Sequence, residues 1–298
     1  MLQQKGCNPM AIAILGLPTN LGIPRPQTRP APAALRAQGL LDRLQATGET
    51  VRDLGDLPVP RGEEIERGEP LLRAVLRVAR RQAGILRRVL RTGALPVTLG
   101  GDHSTSLGTL LGLAGAGLDF DVVWVDAHAD FNTPQTSPTG NPHGMVLALA
   151  GGLTPYLPRA VPPHRVHILG ARDLDPGERE LIARHGLKVY TPEETLDRLE
   201  AIVAGLGPRV FLSFDVDSLR PEVAPGVRTP VPGGFTLEEA LEVVTAVVRS
   251  RELVAVDLVE YDPDLDREGR TGTAALTVLE RILATRRAAL ETSATARD

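Results

Sequence analysis

Short apolar runs alternate along the chain with longer amphipathic segments, and this alternation restricts the fold more than any other feature of the sequence. Most of the short runs are rich in Val, Ile and Leu without strict polar alternation, as expected for strands that are covered on both faces. The predicted strands are 10–16, 95–99, 121–125, 166–170, 209–214 and 253–259. The predicted helices are 32–46, 69–92, 105–113, 177–185, 192–205, 236–249 and 273–290. This order predicts an α/β protein with a mostly parallel central sheet between two layers of helices, a three-layer α/β/α architecture.

The composition is that of a folded, soluble protein. Hydrophobic residues make up 42% of the 298 residues, charged residues make up 23%, and the formal net charge is -4. A disordered chain has fewer apolar residues, and a nucleic-acid-binding protein usually has a basic surface, so neither class is expected. No apolar stretch approaches the roughly 18 residues of a membrane span. The single cysteine, Cys7, excludes an intramolecular disulfide and favours the cytoplasm.

We expect one domain over residues 10–290, because a chain of this length can bury about three-quarters of its unfolded surface around one core. Residues 1–9 are predicted to be a loose leader, and residues 291–298 a flexible tail. Within 69–92, apolar residues recur at spacings of three and four, which predicts an amphipathic helix. We interpret the Arg-rich face of that helix as solvated surface.

Four of the predicted strands end in polar residues. At these ends the chain reads GGDHS over 100–104, DAHAD over 126–130, DVD over 215–217 and Glu260. Two long loops, about 126–145 and 216–234, begin there, and long loops without secondary structure are often functional. Ligands of open α/β sheets bind beyond the carboxyl ends of the strands, so we expect the functional site at these four ends.

Two of the strand ends carry acidic residues at alternate positions. Asp126, His128 and Asp130 point to one side in an extended chain, and Asp215 and Asp217 repeat the pattern. If the two ends meet, their four carboxylates repel one another and raise their own pKa values unless a cation compensates the charge.

Two histidines complete the predicted ligand set. His103 and His128 with the four aspartates offer nitrogen and oxygen donors and no thiolate, which suits borderline divalent metal ions. Six donors exceed the needs of one typical zinc site, but they can serve two metal ions if two carboxylates are shared. Such ions lie about 3.5–4 Å apart and activate water for hydrolysis.

The motifs GGDHS, DAHADFNTP, SFDVD and VEYDP, in this order and separation, resemble those of the ureohydrolase family, which comprises arginases, agmatinases and their relatives. The resemblance spans roughly residues 10 to 285 and is greatest to the arginases. It implies the three-layer arginase-like fold, two Mn²⁺ ions per subunit and a homo-oligomer, either a trimer or a hexamer. By this resemblance the first manganese would be held by His103, Asp126, Asp130 and Asp215, and the second by His128, Asp126, Asp215 and Asp217.

Within the family, the loop after the metal motif determines the substrate, and here it is similar to the arginase version. The resemblance implies that the α-carboxylate of L-arginine is bound by Asn132, Ser137, Thr139 and Asn141, whose amides and hydroxyls donate hydrogen bonds without added charge. It also implies that Asp175 binds the α-ammonium, directly or through water, with Glu178 nearby. Asp175 also has the sequence context of a helix N-cap before a proline, and the two roles are compatible.

Three segments depart from the family pattern. The stretch 26–32 reads PQTRPAP where arginases commonly carry glycines and another small residue, Arg228 replaces a usual glycine, and Tyr261-Asp262 follow Glu260 where Val or Tyr and Asn are common. None of these residues is an expected metal ligand. We expect the first two to lie in loops at the rim of the site.

The reaction that the resemblance implies is the hydrolysis of L-arginine to L-ornithine and urea. A hydroxide bridging the manganese ions would attack the guanidinium carbon, since metal coordination lowers the pKa of water from about 15.7 to about 7. Asp130 would orient the hydroxide and pass its proton to the leaving amine, and Glu260 would pair with the guanidinium. His143 would act as a proton shuttle at the mouth of the site.

Three alternatives remain at this stage. The chain could be an agmatinase or another guanidino-compound amidinohydrolase, although the Asn and hydroxyl pattern over 132–141 argues against this. It could be a non-catalytic, metal-dependent regulator that binds arginine. It could also be a metallophosphoesterase, but Glu260 would repel a phosphate and no glycine-rich phosphate loop is present.

Overall fold

The computed structural model describes residues 11–26 and 30–295, so the predicted leader 1–9 and residues 296–298 of the predicted tail lie outside the described residues. The strands of the described residues are β1 (Ala11–Leu17), β2 (Thr50–Asp56), β3 (Leu95–Gly100), β4 (Asp121–Val125), β5 (Val166–Leu169), β6 (Lys188–Tyr190), β7 (Arg209–Asp215) and β8 (Glu252–Val259). They form one sheet in the order β2-β1-β3-β8-β7-β4-β5-β6, and every neighbouring pair is parallel.

Helices cover both faces of this sheet. They are α1 (Ala31–Ala37), α2 (Leu40–Ala46), α3 (Glu69–Leu90), α4 (Thr105–Gly115), α5 (Val146–Ala150), α6 (Pro176–His185), α7 (Pro192–Asp197), α8 (Leu199–Ala204), α9 (Leu237–Ser250) and α10 (Arg270–Thr295). None of these helices, all within the described residues, is long and apolar enough to cross a membrane.

Two buried apolar clusters lie on opposite faces of the sheet. Val123 and Val125 of β4 belong to one cluster and Val122 and Trp124 to the other, as the two-residue period of a strand requires. Helices α9 and α10 pack in the first cluster, and α3 and α4 in the second. The predicted three-layer α/β/α fold with a mostly parallel sheet is therefore confirmed.

The sheet contains two strands that the sequence pattern did not predict, β2 and β6, and both lie at its edges. Edge strands pair on one side only and need no continuous apolar run: β2 reads TVRDLGD with mostly exposed or half-buried side chains, and β6 has three residues. The predicted helix 32–46 is two helices, because Gly39 between them adopts a left-handed conformation with φ 84°. The last helix ends at Thr295 rather than 290, within the segment predicted as a tail.

The centre of the sheet positions the expected site. Strands β3, β8, β7 and β4 are the four whose ends carry the polar motifs, and they are consecutive neighbours. Because all four run in one direction, GGDHS, Glu260, DVD and DAHAD emerge at the same edge. We call this edge the carboxyl edge of the sheet and the opposite one the amino edge.

Candidate active site

A first cluster of ligand-type atoms surrounds His103. Its Nδ1 lies 2.9 Å from Asp126 Oδ2 and 3.1 Å from the Oδ2 atoms of Asp130 and Asp215. The four side chains are at most 7% exposed. His103 Nδ1, Asp126 Oδ2 and Asp130 Oδ2 are buried without a hydrogen-bond partner, so three unsatisfied polar atoms converge on one point.

A second cluster lies beside the first and shares a residue with it. His128 Nδ1 is 3.1 Å from Asp217 Oδ2 and 3.4 Å from Asp126 Oδ1. Asp126 thus directs one carboxylate oxygen to each histidine. Thr229 donates a hydrogen bond of 3.1 Å to Asp217 Oδ2, and the Asp217 amide donates one of 2.7 Å to Asp215 Oδ1. These contacts fix both aspartates of the DVD motif.

The carboxylates of the two clusters lie so close together that they repel one another when all are ionised. Burial and the charges of Asp217 and Asp126 raise the pKa of Asp215 well above its ordinary value, and burial and Asp126 raise the pKa of Asp130. A bound cation removes this conflict. The donors are nitrogen and oxygen only, the unsatisfied atoms converge, and two groups that share Asp126 have the spacing of metal ligands, so the residues present fit divalent cations.

His103 is oriented by two residues to which the sequence analysis gave no role. Its Nε2 lies 2.9 Å from Ser213 Oγ, which accepts the ring proton in the tautomer that leaves the Nδ1 lone pair free. Its ring stacks on Trp124 with centroids 3.9 Å apart. Ser213 and Trp124 stand two positions before Asp215 and Asp126, so strand alternation places each on the same face as a ligand. That alternation is the signal by which they could have been found.

Asp130 and Glu260 share an unusual backbone conformation. Their φ values are 48° and 64°, and no other non-glycine residue in 11–26 or 30–295 has a positive φ. Such conformations are costly and concentrate at functional sites. Both residues are ones for which the sequence analysis expects a catalytic role, and both follow the carboxyl ends of strands, β4 for Asp130 and β8 for Glu260.

Glu260 is connected to the metal motif and to the substrate loop. Its Oε1 accepts a 2.8 Å hydrogen bond from the His103 amide and lies 3.1 Å from His143 Nδ1. His143 lies in a short 3₁₀ helix, Pro142–Met145, and its amide donates to Gly22 O. Burial disfavours the charged imidazole, but the hydrogen bond and charge of Glu260 prevail and raise the pKa of His143 to about 9.

Asp102 is a buried residue of the GGDHS motif without a role in the sequence analysis. Its Oδ1 accepts from the Ser104 amide at 2.9 Å and its Oδ2 from the Gly22 amide at 2.8 Å. A side chain at Gly22 would collide with this carboxylate, which explains the glycine. Asp102 therefore holds the loop after β1 against the end of β3, where the same loop also supports His143.

Two of the expected substrate contacts are brought together. Asn132 Nδ2 donates a 2.9 Å hydrogen bond to Asp175 Oδ2, and Thr136 Oγ1 donates one of 2.9 Å to Asn132 Oδ1. Asp175 occupies the N-cap position of α6 but makes no capping hydrogen bond. Glu178 is buried and accepts from the Phe131 amide at 2.8 Å, and burial raises its pKa to about 8.

The other three expected substrate contacts make local interactions instead. Ser137 Oγ accepts from the Gly140 amide at 3.0 Å, and Thr139 Oγ1 accepts from the Asn141 amide at 3.2 Å. Asn141 Oδ1 accepts from the exposed Arg67 at 3.2 Å. These contacts are those of a surface turn, and none of them joins the three residues to Asn132.

The segments that depart from the family pattern contact one another. Arg228 Nε lies 2.7 Å from Asp262 Oδ2, with side chains 13% and 3% exposed. Arg228 Nη2 also donates to Pro26 O at 3.2 Å. The three departures therefore form one linked feature beside Glu260, in which an arginine and an aspartate occur together.

The fold and the site together indicate the class of the protein. It is an α/β protein with a parallel sheet, and two adjoining His and Asp clusters at the carboxyl edge of that sheet could bind divalent cations. The Arginase family profile matches residues 10–284. The chain is 39% identical to an arginase from Bacillus subtilis (strain 168), over 91% of this chain and 97% of that protein. The crystal structure of arginase from Bacillus subtilis superposes with a TM-score of 0.82 at 36% identity, covering 92% of this chain and 98% of that one. A hypothetical agmatinase from Burkholderia thailandensis superposes less well, with a TM-score of 0.72 at 26% identity over 93% and 86% of the two chains. The chain belongs to the arginase family.

Proposed function

We propose that this protein is an arginase, which hydrolyses L-arginine to L-ornithine and urea with the help of two Mn²⁺ ions. The carrying observation is the position of Asp126, whose two oxygens face His103 at 2.9 Å and His128 at 3.4 Å. A carboxylate that lies between two histidines, each with further aspartates around it, suits a ligand that bridges two cations. The sequence identity to curated arginases supports the substrate.

The six ligands would be divided as the family resemblance implies. His103, Asp126, Asp130 and Asp215 would hold one cation, and His128, Asp126, Asp215 and Asp217 the other. Divalent cations at such a site lower the pKa of water from about 15.7 to about 7 and so supply a nucleophile at neutral pH. All the ligand atoms are nitrogen or oxygen, and such a set suits Mn²⁺ as well as other first-row divalent ions.

Glu260 would bind the guanidinium of the substrate. It is buried, and within residues 11–26 and 30–295 its one side-chain hydrogen-bond partner is His143. A guanidinium forms two parallel hydrogen bonds with a carboxylate and can replace the imidazole there. Because the same carboxylate accepts from the His103 amide, a guanidinium bound to Glu260 would lie next to the ligand clusters.

Asp130 and His143 would move protons. Asp130 is buried beside His103 and Asp126, and it would take a proton from the attacking water and give it to the leaving amine. His143 holds its proton through Glu260. When the substrate guanidinium takes that place, the pKa of His143 falls and the proton becomes available for exchange between the site and solvent.

The other end of the substrate would be bound by the loop after the metal motif. Asn132 and Asp175 form a hydrogen-bonded pair with donors for a carboxylate and an acceptor for an ammonium group. Ser137, Thr139 and Asn141 would add donors to the α-carboxylate, and Glu178, which is buried, would support the loop through the Phe131 amide. Agmatine lacks the α-carboxylate and would lose these contacts.

The test is urea production by the protein loaded with Mn²⁺, with L-arginine, agmatine and guanidinobutyrate as substrates and metal content measured on the same sample. We expect two Mn²⁺ ions per chain and a kcat/KM for L-arginine far above that for the other two compounds. Higher activity on agmatine would identify an agmatinase, and tight arginine binding without urea would identify a regulator. The trimeric or hexameric assembly and the cytoplasmic location stay predictions.

A further inference from the structure

A large groove lies at the amino edge of the sheet, at the opposite end of β3 and β8 from the ligand clusters. Its volume is about 1160 Å³, and its walls include the last turn of α3, the end of α4, the end of α9 and part of α10. This exceeds the roughly 300–1,000 Å³ of typical small-molecule sites. The six residues of β3 separate it from the active site by roughly 17 Å. We call it the arginine groove.

Six of the residues that line the groove are arginines: Arg87, Arg88, Arg91, Arg249, Arg251 and Arg286. Its single acidic lining residue, Glu252, pairs with Arg209 outside the groove. Arg251 donates to carbonyl groups at the end of α8, and Arg286 pairs with Glu49. The side chains of the other four make no ion pair or hydrogen bond with the part of the chain that the structure describes. The arginines at the end of α3 thus lie across the groove from Arg249 of α9.

Helix dipoles do not account for this charge. Helices α3, α4 and α9 end at the groove, and each carboxyl end carries about -0.5 of an elementary charge, or about -1.5 together. The four unpaired arginines carry four positive charges. An excess of roughly 2.5 positive charges therefore remains without any contribution from Arg251 and Arg286.

The floor of the groove is apolar. Leu95, Leu253 and Val254 lie at the start of β3 and β8 and are buried, with Leu90 and Leu118 partly buried beside them. The attraction between an arginine and an anion is stronger beside an apolar surface, because a surface of low dielectric constant limits screening by water. Guanidinium groups also bind carboxylates and phosphates through paired hydrogen bonds.

We propose that the arginine groove binds a small molecule with several anionic oxygens, either a phosphate ester or a polycarboxylate, at a site separate from the arginine-hydrolysing centre. Arg88 and Arg249, from opposite walls, provide the main contacts. The proposal does not depend on the function proposed for the carboxyl edge, since no residue is shared between the two sites.

The test is isothermal titration calorimetry of the Mn²⁺-loaded protein with two probes, fructose bisphosphate for phosphate esters and trimesate for polycarboxylates. The groove variant is Arg88→Glu with Arg249→Glu. The matched control is Arg52→Glu with Arg184→Glu, two exposed arginines outside the groove, so both proteins change charge equally. We expect the wild type and the control to bind at least one probe with similar affinity, and the groove variant to bind it at least about tenfold more weakly.

Each outcome has a defined meaning. Binding of one probe alone identifies the chemical class of the ligand, and binding that persists at saturating L-arginine separates the groove from the active site. No binding by the wild type, or equal weakening in both variants, would overturn the proposal. Circular dichroism of both variants tests whether they are folded, and the single variants Arg88→Gln and Arg249→Gln repeat the measurement without charge reversal.

Discussion

The two edges of the sheet differ in whether the oxygens of their buried aspartates have hydrogen-bond partners. At the carboxyl edge, buried aspartates and histidines face one another with unsatisfied atoms between them. At the amino edge, a buried carboxylate is fully paired: Asp121, the first residue of β4, accepts from Arg165 at 2.7 Å and from the Gly207 amide at 2.8 Å. The same strand thus begins with a satisfied aspartate and is followed by an unsatisfied one, Asp126. The difference shows that burial alone does not leave an aspartate of this strand unsatisfied.

The largest predicted effect compares these two aspartates directly. Asp126→Asn removes the charge shared by both clusters, so we expect loss of both cations and a fall in kcat/KM for L-arginine of about 1,000-fold or more, about 4 kcal/mol. Asp121→Asn makes the same chemical change at the amino edge and should keep metal content and activity. Metal analysis and urea assays measure both. If the two variants lost activity equally, the contrast between the edges would be lost.

The next effect concerns the loops above the carboxyl edge. Arg228→Met removes the guanidinium that pairs with the buried Asp262 carboxylate. We therefore expect the free energy of unfolding to fall by about 3 kcal/mol, at the low end of the range for a broken buried ion pair. The double variant Arg228→Met with Asp262→Asn should recover part of that loss. Urea denaturation of the two proteins provides the comparison. A single variant as stable as the wild type would show that this pair contributes nothing.

A smaller effect separates the residues of the substrate loop. Asn132→Ala removes a group that is hydrogen-bonded to Asp175, so we expect KM for L-arginine to rise about 10- to 100-fold, the cost of a hydrogen bond to a charged group. KM for agmatine, which lacks the carboxylate, should change much less. Ser137→Ala should raise KM for L-arginine less than Asn132→Ala does, because the Ser137 hydroxyl already accepts from a turn amide. Equal changes for arginine and agmatine would contradict a carboxylate-binding role.

The smallest effect is a pH dependence at the amino edge. Burial, with the charge of Lys188, lowers the pKa of His167 to about 4 from its ordinary value of 6.5. The unfolded chain therefore binds more protons between these values, and stability is lost as the pH falls through that range. We expect His167 to contribute about 1–2 kcal/mol to the stability lost between pH 6.5 and 5.

His167→Gln should reduce this slope, and the same change at the exposed His164 should not. Thermal unfolding at a series of pH values measures it. Identical pH profiles for the wild type and His167→Gln would show that folding does not lower the pKa of His167.

The sequence predicted the central strands and the polar residues at their ends because both patterns are local. An apolar run followed at once by DAHAD or DVD contains the strand and its ligands in about ten residues. The edge strands β2 and β6 were missed because pairing on one side leaves no such run. The division of 32–46 into two helices depended on the backbone of one glycine, Gly39.

Other features depend on contacts between distant residues. Pro26, Arg228 and Asp262 each appeared as a separate departure from a family pattern, and their mutual contact is visible only in the folded chain. The sequence favours solvated surface for the arginines of α3, and it does not show that the end of α9 adds Arg249 to the same groove.

Residue type and strand alternation determined the layered fold and the six side chains that could bind cations, since a buried strand ending in alternating acids has few other stable solutions. Tertiary structure decided which of these atoms converge, that Asn132 pairs with Asp175 while Ser137 makes a turn, and that Glu260 holds His143. The physical reason is range. Hydrophobic period and turn chemistry act over a few residues, whereas electrostatic pairing depends on distances in space that only the packed sheet sets.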